Sequence, residues 1–228
     1  MEIFKKIHWI QNLPEDYSFV EKIYANFIYL CTNITLSYKK SSLNPCDCAK
    51  TRTLLKKGDI VLLGNRRKSS RFFIKGILTH AALCVNKRKF IHALANGVCF
   101  MSLKKLFREY DALIILRIPK RTKKRKRILS KVIKFARKHI GFPYDFKFSN
   151  RKDRFFCTNF INFSYKHAGY DTRLFSLPRD LDSFFKKFMH SRKGILHAED
   201  FLKGKFNVIF VSHNLKIDKK KVFFNEVN

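Results

Sequence analysis

Acidic side chains are scarce in this sequence. Its 228 residues hold 17 Asp and Glu against 49 Lys and Arg, a formal charge of +32. Any polyanion will feel such an excess, whether nucleic acid, an anionic membrane face or an acidic polymer. Lys outnumbers Arg 33 to 16, which is also the balance an AT-rich genome encodes. Composition therefore leaves a selected basic surface and genome drift both open. Tryptophan is nearly absent, with one against 25 Phe. Glycine is sparse at eight residues, and neither a Gly-rich phosphate loop nor the aromatic–glycine signature of an RNA-binding sheet occurs. No apolar run reaches the roughly 20 residues of a spanning helix. The most apolar early stretch, Ile23 to Leu36, reads as a buried or interfacial helix. Lys5, Lys6, His8, Gln11 and Asn12 interrupt the N-terminal apolar residues, and no small-residue cleavage site follows, so a secretory signal is not expected. The chain is expected in the cytoplasm, with peripheral attachment to a membrane left open.

A hydrophobic fraction of 46% excludes a disordered chain and suits one domain of ordinary size. The six cysteines (Cys31, Cys46, Cys48, Cys84, Cys99 and Cys157) should be reduced thiols in the cytosol. Cys46-x-Cys48 is too short for a zinc knuckle and has no second ligand pair, so no metal or cofactor is expected. Cys84 and Cys99 lie in apolar runs and read as core. A helix is expected over about 17–31. Strands are expected at 60–64, 78–85, 90–95 and 98–103, with Asn96-Gly97 as a hairpin turn. A short helix (104–110), a strand (111–119), a helix after the basic run KRTKKRKR (120–127), a second long helix (157–168), a short helix over Leu181 to Met189, and a final strand (206–212) follow. The basic run is expected to precede the helix, because cations oppose the dipole at a helix N-terminus. The fold class is α+β, an antiparallel sheet with helices packed on it. Residues 1–50 read as a partly helical extension, and 216–228 as a basic tail that frays.

Cys157 opens the second long helix. Unpaired backbone N–H groups and the macrodipole there favour an anion, so the thiol pKa is expected to fall. The same groups suit the oxyanion of a tetrahedral intermediate. His80 and His92 are polar residues inside apolar strands. If the turn at 86–88 pairs those strands, both histidines share one side of the sheet. That permits a thiolate, a base and a group that orients the base.

Gly58-Asp59-Ile60-Val61, Thr79-His80-Ala81-Ala82-Leu83, His92-Ala93 with Gly97-Val98, Gly141-Phe142-Pro143-Tyr144-Asp145, and Phe156-Cys157-Thr158-Asn159-Phe160 occur in this order. The set resembles the circularly permuted branch of the NlpC/P60 superfamily of papain-like cysteine hydrolases. Its YiiX/YebB-like and lecithin:retinol acyltransferase-like groups also place the histidine before the cysteine. The resemblance covers about residues 54–185. It implies a permuted papain-like catalytic domain over 51–215, with Cys157 as nucleophile, His80 as base, His92 as the third polar residue and Tyr144 near the centre. Thr79, Thr158 and Asn159 would stand in the substrate and oxyanion vicinity. Asn159 replaces a Glu frequent in YiiX-like members. Pro178, Asp180 and Leu181 resemble a structural element after the catalytic helix. The implied activity is hydrolysis or acyl transfer on amide, peptide or ester bonds through an acyl-thioester. The partners would be a peptide, amide or acyl-lipid substrate. The alternative is a catalytically silent domain of the same fold that binds anionic lipid or, less favoured, nucleic acid through its charge.

Overall fold

The computed structural model describes residues 9–34, 41–67, 76–175 and 195–225. Among these residues eight strands are present: β1 (Ile60–Gly64), β2 (Leu78–Asn86), β3 (Lys89–Leu94), β4 (Gly97–Ser102), β5 (Ala112–Arg117), β6 (Asn207–Val211), β7 (Leu215–Asp218) and β8 (Lys221–Phe224). The first six form one antiparallel sheet in the order β4-β3-β2-β1-β5-β6, and β7 pairs with β8. Five α-helices accompany them among the described residues: α1 (Phe19–Asn33), α2 (Pro45–Leu54), α3 (Leu103–Glu109), α4 (Arg125–Lys138) and α5 (Cys157–His167). The α+β class and most expected elements are present.

The central strand β1 is buried at every residue, because the sheet is covered on both faces. Strand alternation sends Ile60, Leu62, Ala81, Leu83, Ile91 and Ala93 to one face, against Val132, Ile133 and Ala136 of α4 and Phe160, Ile161 and Tyr165 of α5. It sends Val61, Leu63, Ala82, Cys84 and Phe90 to the other, against Leu43, Leu55, Leu103, Leu106 and Tyr110. The buried Tyr165 hydroxyl donates to the Gly58 carbonyl and ties α5 to the entry of β1.

Local chemistry sets the helix starts. Ser18 with Glu21 and Asn44 with Asp47 form capping boxes on α1 and α2, Pro45 occupies the first turn of α2, and Ser102 caps α3. α2 was not expected. It runs across residue 50, where the sequence reading ended the extension. Its buried Asp47 accepts hydrogen bonds from the His213 N–H (3.1 Å) and pairs with the His213 ring (2.5 Å). The C-terminal tail corrects another expectation: it forms the β7–β8 hairpin, held because Leu215 and Val222 enter the main core. α4 corrects a third. It begins inside the basic run, with Arg125, Lys126 and Arg127 in its first turns and no side-chain cap. Burial of Ile128, Val132, Ile133, Phe135 and Ala136 outweighs the unfavourable dipole, which acts on largely solvated charges. Cys99 is only half-buried, whereas Cys84 is buried as expected. The expected helix over Leu181 to Met189 lies outside the described residues, as do Pro178, Asp180 and Leu181.

One ion pair braces the sheet's middle. Arg117 at the end of β5 donates Nε and Nη2 to Asp59 at 2.6 and 2.7 Å, and Nη2 also reaches the Leu54 carbonyl at 2.7 Å. Asp59 is buried. Replacing Arg117 by Met strands a buried carboxylate and should cost about 3 kcal/mol in urea unfolding. Arg108→Met removes only an exposed 3.9 Å contact to Glu109 and should change stability by less than about 0.5 kcal/mol.

Candidate active site

The β2–β3 ladder holds through Asn86, Cys84 and Leu83, then stops at the Leu83–Ile91 pair. Beyond it the strands part, and the N-terminus of α5 stands at the opening. The backbone N–H of Ala81 turns to the Cys157 thiol, joined by donors from Thr158 and from Cys157 itself. α1, α2 and α3 all start with a side-chain cap, but α5 starts at Phe156 with none. Its first N–H groups therefore face the thiol and anything bound to it.

His80 and His92 lie on the opposite face of the sheet from α5, and they meet across the same opening. His80 Nε2 and His92 Nδ1 are 2.9 Å apart, with ring planes at 73°. The expected juxtaposition of the two histidines is present. Tyr110, just before β5, stacks its ring on His80 at 5.7 Å and 6°. The hydroxyl pKa of this buried tyrosine lies well above the ordinary value, raised by burial, then by Glu109, Cys157 and Cys99. No motif marked Tyr110; its role follows from the fold alone.

The His92 ring is fully enclosed. Burial, then His80, then Lys105, pushes its pKa well below the ordinary value, so it stays neutral near pH 7. Its Nε2 is buried without a hydrogen-bond partner among the described residues.

The expectation for the Cys157 thiol is overturned. Burial is the largest influence and pushes it up to about 11, against the opposing N–H donors of Ala81 and Thr158. Desolvation of an anion here exceeds what the helix end returns. The resting group is a thiol.

The remaining expected residues divide. Tyr144 lies within electrostatic reach of Cys157, and its hydroxyl pKa is raised well above normal by burial and then by that thiol. The Gly141–Asp145 turn is clamped to β4 by the Val98 N–H on the Phe142 carbonyl and the Gly141 N–H on the Val98 carbonyl, both 2.8 Å. Gly97 (φ +93°) is required there, because a Cβ would collide with the Phe142 carbonyl. Asp145, buried, accepts from the Lys147 and Asn150 N–H groups and the Ser149 hydroxyl, which shapes the loop leading to α5. Asn159 Nδ2 donates to Asn150 Oδ1 of that loop at 2.6 Å. Thr158 donates its hydroxyl to the Leu196 carbonyl at 2.6 Å and so anchors the segment after the helix. Thr79 is half-buried on β2, at the bulge where the pairing with β1 slips between His80 and Leu78. Among the described residues, no three His, Cys, Asp or Glu side chains stand close enough to share a metal ion.

A thiol at the start of a helix packed on an antiparallel sheet, with a histidine pair on that sheet and earlier in the chain, is the arrangement of a permuted papain-like protein. The family described as permuted papain-like amidase enzyme, YaeF/YiiX, C92 family, matches residues 54–184. The chain belongs to that family. Among solved structures it is similar to the crystal structure of the metalloprotein yiiX from Escherichia coli O157:H7. The TM-score is 0.55 at 18% identity, covering 70% of this chain and 98% of that one. That likeness supports the fold. A search of curated proteins finds no match.

A neutral thiol has a measurable signature. Alkylation of Cys157 by iodoacetamide, read by mass spectrometry separately from the other five cysteines, should climb about tenfold per pH unit from 7 to 10. A plateau reached below pH 8 would mean a preformed thiolate and contradict the burial argument.

Proposed function

We propose that the protein is a cysteine amidase that cleaves an amide or peptide bond through an acyl-thioester on Cys157. The observation that carries this reading is the 2.9 Å contact between His80 Nε2 and His92 Nδ1 at the opening where the Ala81 N–H meets the Cys157 thiol. With Nε2 engaged by His92, His80 Nδ1 is the nitrogen that takes the Cys157 proton. Because the resting group is a thiol, proton transfer accompanies attack of Sγ on the carbonyl carbon, as general-base catalysis. The carbonyl electrons move to oxygen, and the uncapped N–H groups of α5 receive the oxyanion. The imidazolium donates Nε2–H to neutral His92, then returns the other proton to the leaving amine as the tetrahedral intermediate collapses to the thioester. Water, activated by the same His80 nitrogen, releases the acid and restores the thiol.

His92 acts here as an acceptor at Nδ1 that fixes the His80 tautomer. A side chain offering a carbonyl oxygen should substitute for it in part. Against a panel of N-acyl and peptide p-nitroanilides, Cys157→Ala should abolish turnover and His80→Ala should lower kcat by at least about a thousandfold. His92→Leu should lower kcat about a hundredfold with little change in KM, and His92→Asn should recover about tenfold of that loss. Turnover that survives Cys157→Ala would overturn the mechanism.

A further inference from the structure

The outward side of α1 is the feature that the fold and the site leave unexplained. α1 is apolar nearly all round. Its inner side meets the rest of the chain through Ala25 and the partly buried Ile28 and Tyr29, which pack with Ile10, Tyr17, Phe146 and Tyr144. Its outer side carries Phe19 (78% exposed), Ile23 (45%), Phe27 (51%) and Leu30, at spacings of four, four and three residues. These positions make one stripe along the helix. Trp9 lies nearby in sequence, 69% exposed. Of the large apolar side chains exposed among the described residues, more than half lie between Trp9 and Ile34. Scattered exposed leucines need no explanation, but a contiguous stripe of this kind marks a surface that is covered in use.

Charge argues for what covers it. A chain of net charge +32 repels a second copy of itself and is drawn to a polyanionic surface. Two carboxylates near the start of the stripe are paired: Glu21 with Lys147, and Asp16 with Arg154 (2.7 Å) and Arg151 (3.3 Å). Phenylalanines on an outward helical face and an exposed tryptophan ahead of the helix, carried by a basic protein, fit the boundary between headgroups and acyl chains. We propose that α1 is an interfacial docking helix. It lies in the plane of an anionic bilayer with Phe19, Ile23, Phe27 and Leu30 buried in the interface and Trp9 at the headgroup level. Through Tyr144 the docked helix adjoins the turn beside Cys157, so docking sets the site close to the membrane surface. The proposal is independent of the activity, since nothing in it requires a competent thiol.

Trp9 is the sole tryptophan and therefore reports directly. Full-length protein carrying Cys157→Ala is titrated with vesicles of phosphatidylserine and phosphatidylcholine (3:7), and separately with pure phosphatidylcholine. The expected result is a blue shift of Trp9 emission with the anionic vesicles, weaker binding to the neutral ones, and quenching by lipids brominated near the top of the acyl chain. The triple variant Phe19→Asn, Ile23→Asn, Phe27→Asn should bind at least about tenfold more weakly while keeping the parent's unfolding midpoint. If the triple variant misfolds, quenching of Trp9 in the parent decides alone, and its absence overturns the proposal. Equal binding by a folded triple variant would mean that charge alone attaches the protein, and would also overturn it. So would a dimer in sedimentation that the triple variant abolishes, because α1 would then be covered by a second copy.

Discussion

Strands β2 and β3 stop pairing at Leu83 and Ile91, and the proposed mechanism rests on the gap they leave. An intact ladder would have used the Ala81 N–H for a partner strand. Parted, the strands release that donor to the Cys157 thiol and let the His80 and His92 rings meet edge to edge. Both faces of the sheet contribute, α5 from one and Tyr110 from the other. The helices packed on the two faces hold the gap at a fixed width, and the Tyr165 bond to Gly58 keeps α5 from sliding along it.

Burial decides the protonation states in this gap. It raises the thiol and depresses His92, so the nucleophile and the buried histidine are both neutral at rest. A helix end is worth at most a couple of kcal/mol to an anion, and burial of the sulfur outweighs it. In the proposed mechanism the thiol is activated only as substrate arrives. The N–H groups at the start of α5 are then free to hold the charge that develops on the substrate oxygen.

The N-terminal region has a double relation to this centre. Its inner residues pack on the turn that carries Tyr144, and Asn12 Nδ2 donates to the Asn96 and Gly141 carbonyls. Its outer residues face away from the protein. The segment is thus bonded on one side to the turn that carries Tyr144 and is apolar on the other.

The order of histidines before cysteine, the helix start at Cys157, the β3–β4 hairpin and the apolar strands were legible in the sequence because each rests on neighbouring residues, although the hairpin turns at Ala95-Asn96, one residue before the expected Asn96-Gly97, and Gly97 already pairs with Leu94. The family followed from those motifs. Tyr110 carried no signal, since stacking on His80 joins residues thirty positions apart. Helix α2 was missed because Asn44-Pro45 reads as a turn until Asp47 completes the cap. The β7–β8 hairpin was missed because its charge hides the two residues, Leu215 and Val222, that enter the core. By itself the sequence determined which groups could react and on which elements they sit, since periodicity, capping and hairpin chemistry act locally. Only the tertiary structure decided that the thiol is neutral, that His80 and His92 meet ring to ring, and that the stripe on α1 faces outward. Desolvation, ring-to-ring contact and exposure all depend on what distant segments bring to the same place.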